Sequence, residues 1–537
     1  MIDMRLNFYL LVFLLIHSVL DVYGQHIGDV YVYDSTLSRF SDYDFDDQGN
    51  LLFSGYVGPR NATGTDPFGN LSFDGYWYEN GLTCKADSTG FLQWMTVSGN
   101  NNAQENVQEI RYDNLNVFSI GKFIPQSNRM FVNGVSLAFP YPCCKGGYIL
   151  NTLSNGTFVW AFPLPDDGHS LDIRPNGNIV ASDGSGIRSL HTGSTQLWNV
   201  PIALNDSRIR VVNDTLWLLG MFQDSLLIGG STYYTGTVSD ADLFVARFTS
   251  LGDFIDARHL LGNGMDLIHD LAIDATGRVW ISGMFDNDVD IDGTPVCGSG
   301  LRVGFLRMDQ TLHMDHCEVV PLVGTATPEG VNGEMVFNSS NERIATINTV
   351  RHPVFGSDTV FVQTWAGYEG TCVLAKWDAS GNLLWYRPLA EPVAGGVEAA
   401  SVSGHIRKQQ NGRWILAGQM RETCRIDGQT YNASADYSAF FAYLEDTTTV
   451  ATALPKMPET LGCYLSNPVS DRAVVRFERE PGEGSIQIFD ATGRLVKAQS
   501  GRLAISETLD CSHIPNGVYL IQVTSGDRLA TLRMIKQ

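Results

Sequence analysis

One local pattern recurs seven times along this chain, and it leaves few folds open. An apolar run is followed by glycine and then by a large side chain. It reads Leu52-Phe53-Ser54-Gly55-Tyr56, Phe118-Ser119-Ile120-Gly121-Lys122-Phe123 and Trp217-Leu218-Leu219-Gly220-Met221-Phe222. It returns as Trp280-Ile281-Ser282-Gly283-Met284-Phe285 and Ile415-Leu416-Ala417-Gly418-Gln419-Met420, with weaker copies at Ile179–Gly184 and Ile344–Asn348. Taking positions 55, 121, 184, 220, 283, 348 and 418 as equivalent gives spacings of 66, 63, 36, 63, 65 and 70. A period this regular marks a repeat architecture. Alternating apolar and polar residues between Gly and Asp turns divide each unit into four short strands. In the fifth unit these are 269–274, 278–285, 303–308 and 313–319. Tryptophans follow the last turn glycine of several units: Trp94 after Gly90, Trp160 after Gly156, Trp198 after Gly193 and Trp385 after Gly381. Four-stranded units repeated about seven times, with no helical period, read as an all-β propeller whose glycines crowd near the axis and whose tryptophans pack between blades.

The third unit keeps its four strands but lacks a stretch of about 27 residues (63 − 36) between the second and third. The other six carry it: 61–77, 126–141, 223–237, 286–300, 352–365 and 421–436. Connections at one topological point emerge on one face of a propeller, so these insertions are expected to gather on one rim. Their aromatics Tyr76, Trp77, Tyr141, Tyr233, Tyr234 and Tyr431 are candidates for stacking on sugar or anchoring a protein.

The first 24 residues read as a secretion signal. Arg5 precedes the apolar run Leu10–Ile16, too short to span a bilayer, and Val22-Tyr23-Gly24 suits cleavage after Gly24. No other segment approaches spanning length. A net charge of −22 argues against nucleic acid and against an anionic membrane surface as partners. Nine cysteines include no CxxC pair, and Cys463 with Cys511 and Cys297 with Cys317 are the local pairing expectations for an oxidising compartment. The domain plan is therefore a signal at 1–24, a propeller at 25–453, a Pro-containing linker at 454–460 and a small β-sandwich at 461–537.

That sandwich carries a family resemblance. Tyr464-Leu465-Ser466-Asn467-Pro468 resembles an opening Tyr-Pro-Asn-Pro, with Leu465 in place of the first proline. Phe489-Asp490-Ala491-Thr492-Gly493-Arg494-Leu495-Val496 matches a middle motif. Asp510, Ser512, Gly517 and Tyr519 match a third, and Arg533 opens the apolar ending. Together these motifs resemble the C-terminal (type A) sorting domain of Bacteroidetes type IX secretion cargo, and the middle region is similar, more loosely, to Bacteroidetes β-propeller-repeat proteins. The resemblance implies an Ig-like fold for the tail, the type IX machinery as a partner, passage through the periplasm, and a secreted or outer-surface destination.

Chemistry is harder to read. Asp288, Asp290 and Asp292 form a D-x-D-x-D-G run that could ligate Ca2+, although Val289 and Ile291 alternate with the acids as in a strand and the EF-hand's twelfth position falls on Ser299. His313 and His316 are three apart and diverge on a strand. No nucleophile elbow, HExxH or Walker loop is present, so no catalytic residues or cofactor are assigned. The leading expectation is a non-enzymatic propeller scaffold that binds an extracellular protein or glycan through the insertion face. The alternative is a polysaccharide-acting enzyme with carboxylates on that face.

Overall fold

The computed structural model describes residues 25–446 and 463–536, apart from 34–37, 59–65, 74–78, 100–104, 124–128, 134, 139–145, 236–240, 263–265, 286–288, 292–293, 297–299, 325–331, 361–370, 391–400, 410–411, 422, 428, 434–436, 466–468, 478–479, 491–493 and 526–527. The expected cleavage point at Gly24 and the linker at 454–460 lie outside these residues. The chain divides into two compact units, 1–447 and 448–537.

The larger unit is all-β, and its strands pair as seven four-stranded antiparallel groups, each labelled a to d from the inside out. Unit one is Ser38–Phe45, Leu51–Val57, Asn80–Ala86 and Leu92–Gly99. Unit two is Glu105–Asp113, Asn116–Phe123, Gly146–Leu153 and Phe158–Leu164. Unit three is Gly168–Ile173, Ile179–Asp183, Gly186–Leu190 and Gln196–Pro201. Unit four is Asp206–Val212, Thr215–Gln223, Ala241–Phe248 and Phe254–Gly262. Unit five is Leu267–Ile273, Val279–Phe285, Arg302–Met308 and Met314–Val323. Unit six is Asn332–Phe337, Arg343–Thr349, Thr371–Trp377 and Leu383–Pro388. Unit seven takes Ser401–Lys408, Trp414–Arg421 and Ser438–Asp446 from the end of the propeller, and its strand d, Gln25–Tyr33, from the start. The repeat count did not disclose this last pairing. Joining the first and last strands in one sheet closes the ring and leaves no radial gap.

The repeated glycines have a direct steric cause. A Cβ on Gly55 would lie 1.9 Å from the Arg39 carbonyl oxygen, on Gly418 2.0 Å from that of Ser403, and on Gly121 2.6 Å from that of Asn106. Strand b must be bare where strand a presses on it. In units one, two, three and five the strand a register slips at this level, so Ser41, Gln108, His169 and His269 are bulged. A bulge bends the strand and re-aims a side chain.

The tryptophans behave as expected and show how the units lock together. Trp94, Trp160 and Trp198 each donate an indole N–H to a turn carbonyl of the next unit: Ser154 at 2.8 Å, Thr192 at 2.7 Å and Ser250 at 3.2 Å. The next unit's c–d turn glycine lies on two of these rings, with a Cβ on Gly156 or Gly252 falling 2.9 Å or less from an indole carbon. Asp-x-x-Gly turns such as Asp378–Gly381 are held by the aspartate, which accepts the N–H groups of Ser380 and Asn382 at 2.8 Å each. Trp385 is the exception. It is half-buried against the core shared by units six and seven, but among the described residues its Nε1 has no hydrogen-bond partner. Unit seven's strand d comes from the chain start, so no c–d turn exists there to accept the bond. His316 takes the tryptophan's place in unit five, packed edge-on to Trp280 at 5.5 Å, which gives it a structural setting.

The smaller unit packs Cys463–Leu465, Arg472–Phe477 and Ser506–Asp510 as one sheet, and Leu495–Leu503, Gly482–Asp490, Gly517–Ser525 and Arg528–Lys536 as another. Alternate residues from both, including Val475, Leu509, Ile488, Ile521 and Met534, form its core. Cys463 and Cys511 both lie in this core without a disulfide between them, so the expected bridge is not formed. Of the other expected pair, Cys317 is disulfide-bonded and Cys297 lies outside the described residues.

Gly55→Ala should destabilise the propeller by about 1–3 kcal/mol, the usual cost of overpacking. Trp198→Phe should cost about 1 kcal/mol more than Trp385→Phe, because only the first loses a hydrogen bond. Urea titration of the three variants measures both differences. Equal losses for the two tryptophans would refute the role given to the turn carbonyls.

Candidate functional site

Each strand a has one edge paired to strand b and one edge facing the axis and the neighbouring unit. Its inward N–H groups need acceptors. Carboxylates on the preceding strand a supply them. Asp42 accepts from the Ile110 N–H at 3.1 Å, Asp44 from Tyr112 at 2.8 Å, Glu109 from Leu171 at 2.8 Å, Asp172 from Val211 at 2.7 Å, and Asp270 from Met335 at 3.4 Å. Five acids on the inner ring thus act as cross-unit clamps.

Such an acid cannot sit beside the axis without a counter-charge. Asp42 is paired with Arg111 at 2.6 Å and Arg407 at 2.5 Å. Arg111 also reaches Glu109 at 3.5 Å, and Arg210 bridges Glu109 at 3.6 Å and Asp270 at 3.3 Å. His405 Nδ1 lies 2.5 Å from Glu334. Burial alone would raise the Asp42 carboxyl, but the two guanidiniums hold it well below the usual range. For Asp270 burial wins over Arg210, and its carboxyl is raised. Glu334 is lowered: His405 and Arg407 outweigh its burial. Burial lowers His169.

Above this network the axis holds a cavity of about 280 Å³ lined from all seven units. The bulged Ser41, Gln108, His169 and His269 all face it, as do Asn106, Arg39 and Lys122. Its charged lining comprises Arg39, Lys122, Arg208, Arg210 and Arg407 against Asp42, Glu109, Asp270 and Glu334. Arg208 is held by Asp206 at 2.9 Å and donates to the His269 carbonyl at 3.0 Å. Among the described residues neither Lys122 nor Arg39 has a carboxylate partner, and the Arg39 Nε is buried without a hydrogen-bond partner. Among the described residues the lining contains no Phe, Tyr or Trp.

None of the described insertion residues lines this cavity. Their hairpins lean outward onto the outer strand of the preceding unit. Arg129–Val132 pairs with unit one through Phe131 and Gly99, Val289–Ile291 with unit four through Asp290 and Leu261, and His352–Phe355 with unit five through Pro353 and Leu322. Phe68 stacks on Tyr33 of unit seven at 5.3 Å, and Asp427 pairs with Arg387 of unit six. Covering edge strands is a standard protection against edge-to-edge pairing. Of the expected rim aromatics, Tyr233 and Tyr431 pack onto the apolar cores and Tyr234 is exposed, while Tyr76, Trp77 and Tyr141 lie outside the described residues. Of the acid run, Asp290 sits in a paired strand, and Asp288 and Asp292 lie outside the described residues. Among the described residues no cluster of three or more His, Cys, Asp or Glu is placed to hold a metal.

In the tail, Asp490 and Arg494 close one turn through a 3.1 Å hydrogen bond to the Arg494 N–H and a 3.0 Å ion pair. Asp510 accepts from the Ser512 N–H at 3.0 Å, Gly517 opens a strand, Tyr519 donates to the Pro515 carbonyl at 2.7 Å, and Arg533 pairs with Leu520. Asn467, Pro468 and Gly493 lie outside the described residues.

Replacing Asp42 by Asn would leave Arg111 and Arg407 buried with less counter-charge, so it should cost about 3–5 kcal/mol at pH 7. The wild-type advantage comes from a carboxyl held below its unfolded value. It is therefore complete above about pH 4 and shrinks as the pH falls toward the folded value. Urea midpoints of both proteins at pH 7 and pH 3 should converge at the lower pH. A difference that stays constant would contradict the pairing.

Residues 466–537 match the secretion system C-terminal sorting domain family, so the chain carries a type IX sorting tail and is exported by that route to the cell surface or beyond. No helix among the described residues is long and apolar enough to cross a membrane. No curated protein matches the chain. Among solved structures it is similar to hydrazine synthase of Kuenenia stuttgartiensis (9% identity, 58% of this chain and 76% of that one, TM-score 0.35). It is also similar to apo AztD from Citrobacter koseri (9%, 68% and 95%, 0.34). PorZ, a surface component of the type IX secretion system of Porphyromonas gingivalis, aligns over 95% of this chain and 100% of its own at 9% identity and TM-score 0.15. Scores this low carry no argument about activity.

Proposed function

We propose that this chain is an exported, non-enzymatic binding module: a propeller delivered by the type IX system that captures an extracellular glycan at its axial mouth. The observation that carries this reading is the division of labour in the cavity. Its carboxylates are engaged by guanidiniums, histidine or neighbouring N–H groups, whereas Arg39 and Lys122 remain available. A group that clamps two units together is poorly placed to shuttle a proton, and a positioned cation suits recognition. Glycan is favoured over protein because the cavity is recessed and small, and a protein epitope needs roughly 800 Å² of surface per partner.

One observation favours the alternative, a polysaccharide-acting enzyme. Asp270 is raised and Glu334 lowered, and both line the same cavity. Two acids driven apart in this way are the pattern of a general acid and base.

Two measurements test the proposal. Deleting residues 461–537 should leave the propeller in the periplasm, and fusing them behind a signal-bearing reporter should carry it outside; normal surface yield of the tail-less chain would sink the export reading. Incubation of the propeller with extracellular polysaccharides should give retention without new reducing ends. Hydrolysis abolished by Asp270→Asn would establish the enzyme instead.

A further inference from the structure

We propose that the axial mouth recognises a single carboxylate-bearing sugar, a hexuronate. This rests on the mouth being the binding site, as argued above, and adds the chemistry of what enters it. Charge comes first. Among the described residues the lining sets five cations against four carboxylates, and Arg208 is offset by Asp206 just outside it, which leaves Arg39 and Lys122 as the lining cations without a carboxylate partner. The chain as a whole carries −22. Two cations without carboxylate partners in so acidic a protein are a place where the carboxylate of a ligand can be held.

Position agrees with charge. The two cations without a carboxylate partner among the described residues lie level with the entry of strand a, Arg39 on strand a opposite Tyr56 and Lys122 on strand b opposite Asn106. The four carboxylates sit lower and are tied into the clamp network. An ammonium and a guanidinium at one level can hold one carboxylate by charge-assisted hydrogen bonds. A dianionic phosphate would meet the same cations but would also face the ring of acids beneath them.

The remaining lining suits hydroxyls. The bulges turn Ser41, Gln108 and His169 toward the cavity beside Asn106, so amide, hydroxyl and imidazole groups ring the space. These can donate to or accept from a polyol. Volume sets the size. About 280 Å³ falls just under the range of roughly 300–1,000 Å³ for drug-sized ligands, enough for one sugar ring and not for an internal stretch of chain. The ligand is therefore either a free uronate or the terminal residue of an acidic glycan.

Calorimetry with the full chain decides it, using D-glucuronate, D-glucose, inorganic phosphate and a disaccharide ending in a non-reducing glucuronate. Glucuronate should bind at least about tenfold more tightly than glucose or phosphate, the worth of one charge-assisted contact. Lys122→Met and Arg39→Gln should each lose about tenfold for glucuronate and little for glucose. Thermal melts of both variants confirm folding, and if one is unfolded the other carries the test. Binding of the disaccharide equal to or tighter than that of free glucuronate identifies a glycan terminus, and binding of the monosaccharide alone identifies a free sugar acid; either supports the proposal. Equal affinity for glucose and glucuronate, both weakened by Lys122→Met, would overturn the carboxylate while leaving the mouth as the binding site. No binding of any sugar would overturn both. Preferential binding of phosphate would overturn the sugar acid alone.

Discussion

The inner strands of this propeller have an open edge, and the fold depends on how that edge is satisfied. A strand nearest the axis cannot pair on both sides, because its neighbour belongs to another sheet set at an angle. Its N–H groups would be buried without acceptors, at a cost of about 1–3 kcal/mol each. Here the acceptors are carboxylates reaching across from the preceding unit: Asp42, Asp44, Glu109, Asp172 and Asp270. Once those acids are in place the arginines must follow, since an unpaired buried charge is far more costly than a buried pair. The charge network around the axis is thus a consequence of backbone geometry before it is anything functional.

The same logic of shared edges runs outward. On the outer strands, tryptophans donate to turn carbonyls of the next unit, and insertion hairpins cover the strand d of the unit before. Units one to three are tied forward through an indole, and units with an insertion are tied backward through it. Where the ring closes, one of these ties has no partner, and Trp385 is left with an unsatisfied Nε1. Between units five and six the tie is aromatic: Arg343 lies 4.7 Å from the Trp280 ring centre and 4.6 Å from that of Trp377, and its charge is met by Glu318.

Only what these ties leave over is available for recognition. Among the described residues of the axial cavity that remainder is small and specific: bulged polar side chains and two cations without carboxylate partners. A bulge costs ladder hydrogen bonds, and its repetition in four units at one level gives the cavity a polar wall that a regular strand a would not.

Much of this architecture was legible in the residues. Glycine after an apolar run, spaced by about 65 residues, disclosed the units because a steric contact with the adjacent strand is the same in each copy. Turn aspartates and the tryptophans after them were legible for the same reason: they act over a few residues of their own hairpin. The ordered motifs of the tail disclosed the export route. What stayed hidden involved partners far apart in sequence. Nothing in Gln25–Tyr33 says that it will pair with Ser438–Asp446. Nothing in an insertion says whether its hairpin will stand up as a rim or lie back on a neighbour's edge, because that choice depends on an open strand in another unit. The axial cavity is the extreme case, with each of its seven walls supplied by a different unit. Single charged residues scattered over some 370 positions carry no shared local pattern, and only closure of the ring brings them to one axis.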